Sequence, residues 1–600
     1  MKKIPFDSVS LYDLLVKSAP NKVFFSMVMT ILASLLQVML IPILLMSINV
    51  TTEGGFISLE AAETVRLFGY ELRAPEFAYA FAGMTVAVMI IRAIGGRVMQ
   101  VVVTDLAFNL KSYFYHRVSA SSIRNLEEVG TSRILAVLTT DIDRIAFGAR
   151  MMPVFIGYMV MLMGLMGVLF YLQAKIFLFV LAVIVFVIAT FRIFTFFGEM
   201  ALTRARELLN EIIEGNRAII YGAKELKLNE KKAVKFNKNL VGLEDDRRKK
   251  QLSGNTFFML ADQYGQMIHM LAIAVIAFII VNIHSVSTAS LLTIIMIMIY
   301  MAEPVAGIMA TIEQIIPTRI SMVSMRKCLS ELDTEAGLEP GDAPKFNTVT
   351  FKDINYKYVS DELDRTFEVK DINLTLKRGQ ITYITGGNGS GKSTMGKVIS
   401  MHYNQDDGDM LFDDVAINDD NRRQYRQQIA AIFTDFYLFN ELYGIPEDKL
   451  YLIPKFLKEL KLEGKVDVVD GKFSTTQLSD GQRKRLALLV SFLEDKDLYL
   501  FDEWAADQDP QFKAVFYQEI IPSLKAAGKI VVVITHDDRY FDLADQLVKM
   551  EYGRIESISN KEEIQAMTST RSLTQMTNGS DAVTQVPDSK EEHDENVTFI

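Results

Sequence analysis

Six apolar runs, each long enough to cross a bilayer, constrain this chain more than any other feature. They cover residues 23–50, 77–94, 151–172, 175–197, 257–281 and 289–310. About 20 apolar residues in helical form span the hydrocarbon core, and in lipid each segment must satisfy its own backbone hydrogen bonds. Soluble cores rarely supply six such runs, so the first half of the chain reads as a bundle of membrane helices. Half of all residues are hydrophobic, which agrees with that reading. The first run is too long, and its flanks are wrong, for a cleaved signal peptide. Residues 11–16 read as an interfacial helix leading into it.

The connections alternate in character. Residues 104–150 and 198–256 are long, helical in pattern and basic, with Arg204, Arg206, Lys224, Lys227, Arg247 and Arg248 among their charges. The turn at 173–174 is very short, 282–285 closes another hairpin, and 51–73 is acidic. The positive-inside rule then puts both long connections, both termini and everything beyond the sixth run in the cytoplasm. Residues 331–347, with Gly337, Pro340, Gly341 and Pro344, read as a linker.

Beyond the linker, Gly386-Gly387-Asn388-Gly389-Ser390-Gly391-Lys392-Ser393 fits the phosphate-binding pattern G-x-x-x-x-G-K-[ST], with Thr394 following. The β-branched stretch 380–384 precedes it as a strand, and 392–401 follows it with helical spacing. Backbone N–H groups in such a loop curl around an anion, and the helix N-terminus adds its dipole. Lys392 would reach the β- and γ-phosphates of ATP, and the Ser393 hydroxyl would take a Mg²⁺ position. Farther on come Leu478-Ser479-Asp480-Gly481-Gln482, the strand 498–501 ending in Asp502-Glu503, and a second strand delivering His536.

That order of motifs resembles the nucleotide-binding domain of ATP-binding-cassette (ABC) proteins over residues 351–555. Six spans with two long basic connections resemble the transmembrane domain of ABC exporters. The resemblance implies a multidomain protein: a six-helix transmembrane domain of ABC-exporter type fused to a cytoplasmic α/β P-loop ATPase domain. Its parts would be 1–330, the linker 331–347, the ATPase 348–560 and a polar tail 561–600. Residues 567–600 have few apolar side chains and read as disordered. By resemblance, Tyr358 stacks on adenine, Asp502 holds Mg²⁺ directly or through water, and His536 senses the γ-phosphate. Glu503 orients or deprotonates the attacking water. Ser479, Gly481 and Gln482 would touch ATP held by a second copy, which implies a homodimer. Segments 122–132 and 215–230 match the short helices that dock on the ATPase in that family.

Three positions depart from the family pattern. Asp480 stands where glycine is commoner, and 470–476 lacks the usual Glu-Arg-Gly. Thr434 stands where a glutamine usually contacts metal. Its hydroxyl could bind Mg²⁺ through water, Asp435 could replace it, or neither could take part. The segments 501–510 (FDEWAADQDP) and 535–541 (THDDRYF) look like the bacterial cyclic-peptide exporter branch, which includes exporters of syringomycin-type lipopeptides, pyoverdine precursors and microcins. This implies export of a modified or cyclic peptide, siderophore precursors included, across a bacterial inner membrane. Periplasmic or outer-membrane efflux components are candidate partners. An exporter of lipids or hydrophobic drugs is the alternative. A net charge of −10 argues against nucleic acid as a partner. The lone Cys328 allows no intrachain disulfide.

Charges inside spans usually face a bundle interior or a water-filled cavity. Arg92, Asp262 and Glu303 are such charges, and Asp262, Gln266 and His269 recur on one helix face. These five are expected to line an inward-open substrate cavity, with helix packing as the competing role.

Overall fold

In the computed structural model, the described residues are 11–46, 48–53, 56–61, 64–67, 70–280, 288–335, 344–360 and 365–566. The expected hairpin at 282–285 and the tail 567–600 lie outside them. Among the described residues, six helices are long and apolar enough to cross a membrane. Helix α1 (Leu11–Ser18) leads into α2 (Pro20–Met46), the first of the six. The others are α3 (Ala74–Ala120), α6 (Ile142–Leu172), α7 (Ala174–Tyr221), α9 (Glu230–Val275) and α10 (Thr288–Glu331). Between α3 and α6 lie the short α4 (Ile123–Val129) and α5 (Thr131–Ala136); α8 (Ala223–Leu228) separates α7 from α9.

The first span ends earlier than its hydropathy suggests. Helix α2 stops at Met46, and Ile48–Glu53 pairs antiparallel with Phe56–Ala61, followed by a second hairpin of Thr64–Leu67 with Tyr70–Arg73. The residues 48–52 include Ile48, Val50, Thr51 and Thr52, whose branched Cβ atoms favour the extended chain over the helix. The 27 residues that remain in α2 rise about 40 Å, enough to cross a bilayer.

Large apolar side chains lie exposed all along these helices, among them Phe24, Met163, Phe170, Phe186 and Ile188. Such surface suits lipid rather than water. Between helices the packing is close. A Cβ on Gly307 of α10 would lie 2.4 Å from the Tyr158 ring of α6, so only glycine fits there. A π-helical turn, Val137–Asp141, joins α5 to α6. It buries Asp141, which accepts from Arg206 Nη2 at 3.1 Å and from Ser321 Oγ at 2.7 Å. One buried carboxylate thereby ties α6 to α7 and α10.

The chain divides into two compact units, Met1–Ser119 with Val129–Leu332, and Ala120–Glu128 with Asp333–Ile600. The second unit is an ATPase-type α/β fold. Its six-stranded sheet runs in the order Ile429–Ile432, Leu498–Asp502, Ile530–Ile534, Ile381–Gly386, Gln546–Glu551, Arg554–Asn560. All neighbours are parallel except the last pair. Strands Leu498–Asp502 and Ile530–Ile534 are buried throughout, as continuous apolar runs in a doubly covered parallel sheet should be. A four-stranded antiparallel sheet built on Thr348–Ser360 and Arg365–Lys377 completes the unit.

Most of α4 belongs to this second unit. Within it, Glu127 accepts from Lys397 Nζ at 2.9 Å and from Tyr403 Oη at 2.6 Å. Arg124 reaches Asp406 at 3.3 Å, and Ile123 packs on the apolar core. In the other expected docking segment, α7 runs on to Tyr221 and only Ala223–Leu228 forms a separate helix. There Tyr221 and Leu228 are almost fully exposed. The polar stretch beginning at 561 is not all tail: Ile564 is 1% exposed and belongs to the ATPase core. One apolar side chain anchors a turn that composition alone marks as polar.

Candidate nucleotide site

The phosphate loop follows strand Ile381–Gly386, which lies between Ile530–Ile534 and Gln546–Glu551 near the middle of the sheet. Ligands of open α/β sheets bind outside such carboxyl ends. Gly386, Gly389 and Gly391 have φ of 150°, 76° and 101°. A Cβ on Gly386 would lie 2.2 Å from the Met550 carbonyl, so the turn excludes any side chain there. Helix Lys392–Ile399 begins directly after the loop.

Lys392 is almost fully buried, and its Nζ donates to the carbonyls of Gly386 (3.1 Å) and Gly387 (2.9 Å). Burial pushes its pKa down, while Glu503 and Asp502 oppose that shift. The Ser390 hydroxyl is buried without a hydrogen-bond partner. A buried ammonium resting on loop carbonyls beside an orphaned hydroxyl fits a polyphosphate, whose oxygens would satisfy both.

Asp502 ends its strand 2% exposed. Burial raises its pKa, Glu503 and Asp435 raise it further, and Ser393 and Lys392 act against them. Ser393 Oγ lies 3.5 Å from Asp502 Oδ1. Among the described residues no group of three or more His, Cys, Asp or Glu is arranged to hold a metal. A hydroxyl and one carboxylate still suit Mg²⁺, which commonly takes only one or two protein ligands beside phosphate oxygens and water.

Glu503 adopts φ 48°, a left-handed conformation uncommon for a residue with a side chain. Its backbone is held from both sides. Its N–H donates to Ile534 O at 3.0 Å, and its carbonyl accepts from Lys484 Nζ at 3.2 Å. The turn leaves its carboxylate partly exposed, with Oε1 3.2 Å from His536 Nε2. The structure thus brings Lys392, Ser393, Asp502, Glu503 and His536 into one connected set.

Ser479 caps helix Asp480–Glu494 in a reciprocal capping box with Gln482. Thr434 and Asp435 form an exposed turn after Ile429–Ile432, and Asp435 is the one whose charge reaches Asp502. Tyr358 is described only as a strand position opposite Phe367.

Sequence reasoning missed the residues that join the signature helix to the Asp-Glu strand. Lys484, almost fully buried, pairs with Asp507 at 2.7 Å as well as with the Glu503 carbonyl. Gln508 accepts from Arg485 Nε at 2.8 Å and donates to Gly481 O at 3.0 Å. Trp504 donates to Lys484 O at 3.1 Å and stacks on Phe516. The available signal was the single tryptophan of the chain, directly after the carboxylate pair.

The structure places the membrane residues in separate groups within the one chain. Gln266 Nε2 donates to Asp262 Oδ2 at 2.9 Å, so those two do share a face. Arg92 instead donates to Gln37, which also bonds Tyr300 near Glu303. His269 lines an apolar cavity to which Asp262 and Gln266 do not contribute. Seven residues of helix separate Asp262 from His269 by about 10 Å along the axis, which places them at different depths of the same face.

Residues 369–506 match the family model described as ABC transporter. The chain is 29% identical over 495 residues to the ATP-binding protein SyrD of Pseudomonas syringae pv. syringae, covering 80% of this chain and 87% of that one. It is 28% identical over 235 residues to the toxin RTX-I translocation ATP-binding protein of Actinobacillus pleuropneumoniae, covering 36% and 32%. The solved structure of a bacterial Atm1-family ABC exporter with ATP bound is similar in fold, with a TM-score of 0.70 at 15% identity over 86% of this chain and 91% of that one.

Proposed function

This chain belongs to the ABC transporters, with the exporter fold and ATP hydrolysis coupled to transport, and from that premise we propose that it exports a modified or cyclic peptide. The peptide, siderophore precursors included, would cross a bacterial inner membrane with the ATPase unit in the cytoplasm. One ATPase unit and six spans make half a transporter, so two copies work together. The observation that carries the peptide reading is the extent of the similarity to SyrD. Its 495 residues exceed the ATPase unit and must include much of the helical unit, where substrates are met. The segments 501–510 and 535–541 support the same branch, as does a relative named for toxin translocation.

In the proposed reaction Lys392 and the loop hold the phosphates, while Ser393 and Asp502 would hold Mg²⁺, which would supply positive charge to offset that of the triphosphate. Glu503 orients the water or takes its proton, and His536 fixes the carboxylate and meets the γ-phosphate. Ser479, Gly481 and Gln482 serve the site of the partner copy.

Reconstitution into liposomes tests the substrate class. Cyclic or modified peptides are expected to stimulate ATP hydrolysis and to accumulate in an ATP-dependent way, whereas lipids and hydrophobic drugs are not. Stimulation by lipids or drugs but not by any peptide would hand the assignment to the alternative.

The turn at 434–435 gives a separate expectation. Because Asp435 is electrostatically coupled to Asp502, Asp435→Ala should raise the half-saturating Mg²⁺ concentration for hydrolysis several-fold, and Thr434→Ala should change it little. A titration in which both variants match the parent would remove this turn from the metal site.

A further inference from the structure

Helices α6, α7, α9 and α10 enclose a cavity of about 340 Å³. That lies within the range of about 300–1,000 Å³ that small-molecule sites occupy. Its wall is apolar nearly throughout, with Leu162, Val183, Phe191 and Met301 among the lining residues. The polar exceptions are Arg192, Thr195 and His269.

The Arg192 guanidinium makes no hydrogen bond or ion pair among the described residues. It is exposed in the single chain and sits 18 residues past Ala174, the start of α7, roughly 27 Å along the helix. A cation left unpaired inside a span is expensive and marks a pathway or ligand. The Nε2 of His269 is buried and without a hydrogen-bond partner. Thr195 is different, since its hydroxyl is already committed to backbone carbonyls of its own helix. An apolar chamber with one unpaired cation and one unpaired ring nitrogen is built for a molecule that is mostly apolar and carries one anionic group.

We propose that this cavity binds an acidic amphiphile, its apolar chain among Leu162, Val183, Phe191 and Met301 and its anionic oxygens against Arg192, with His269 Nε2 placed to accept from a peptide N–H of the same molecule. The inference rests on the export reading and narrows it to a peptide bearing an apolar chain and a free acid. Neither Arg92 nor Glu303 takes part, because neither lines the cavity.

The test uses the full chain in phosphatidylcholine nanodiscs and calorimetric titration, because Trp504, the only tryptophan, is buried in the ATPase unit and cannot report. The probes are N-dodecanoyl-glycylglycine, its primary amide, and dodecyl phosphate. The acid is expected to bind about 10-fold or more tightly than the amide, the scale of one charge-assisted hydrogen bond. Arg192→Gln should erase that preference and keep the affinity for the amide, and Val183→Trp, which fills the chamber, should weaken both probes. Equal binding of acid and amide by the parent, no binding of either, or a preference that survives Arg192→Gln would each overturn the proposal. Dodecyl phosphate binding more tightly than the peptide acid would assign the site to a lipid and also overturn it. Specific binding with no peptide transport sinks the export reading alone, and transport of acid-free peptides indifferent to Arg192→Gln sinks this inference alone.

Discussion

Glu503→Gln is expected to bind ATP as the parent does and to hydrolyse it about 10²–10⁴-fold more slowly, the usual cost of losing a positioned base or water-orienting group. That loss corresponds to about 3–5 kcal/mol of barrier. The substitution is nearly isosteric, and glutamine retains an oxygen able to stay within reach of His536 Nε2, now 3.2 Å from the glutamate. The left-handed backbone at this position is fixed by Ile534 O and Lys484 Nζ rather than by the side chain, so the turn should survive. Asp502 and Ser393 are untouched, which leaves the phosphate and metal contacts in place. Hydrolysis and nucleotide affinity measured on the same preparation separate these effects. A variant turning over ATP at the parent rate would remove Glu503 from the chemistry and leave its strained conformation unexplained.

What was legible in the chain divides by the kind of physics involved. The phosphate loop is legible because its backbone conformations exclude side chains: Gly386 is forced by the Met550 carbonyl, and no substitution can hide that. The spans are legible because bilayer thickness sets a length that composition must meet. Their ends are less so, since Ile48 and Val50 carry the apolar pattern on past Met46, where the helix stops. The docking of Lys484, Gln508 and Trp504 around Glu503 depends on a helix and a strand meeting in space, and nothing local announces it. The substrate layer shows the same limit. Helical spacing identifies the face shared by Asp262 and Gln266, but not which neighbour covers it or at what depth. Arg192 was overlooked beside more conspicuous carboxylates, and only the packing of four helices places it with His269.

Lys392→Ala should show the opposite pattern to Glu503→Gln, failing at binding before chemistry. Its ammonium is buried and held by the carbonyls of Gly386 and Gly387, so in the free protein it already occupies the centre of the loop. Those carbonyls lose a donor when the side chain is removed, and a bound nucleotide loses charge-assisted hydrogen bonds worth about 1.5–3 kcal/mol. A second effect adds to the first. Lys392 is one of the groups that hold down the pKa of Asp502, against burial and the charges of Glu503 and Asp435. Without it the paired carboxylates repel the triphosphate with no nearby cation to offset them. Together these effects should weaken ATP binding about 10²-fold, or ~3 kcal/mol. Affinity measured for ATP with and without Mg²⁺ is the direct check, alongside thermal unfolding to show that the unit remains folded. The metal-free measurement should suffer more, because Mg²⁺ partly replaces the missing positive charge. Unchanged affinity in a folded variant would mean that the loop does not grip phosphate through Lys392, and the assignment of the whole site would have to be rebuilt from the Asp502–Glu503–His536 side.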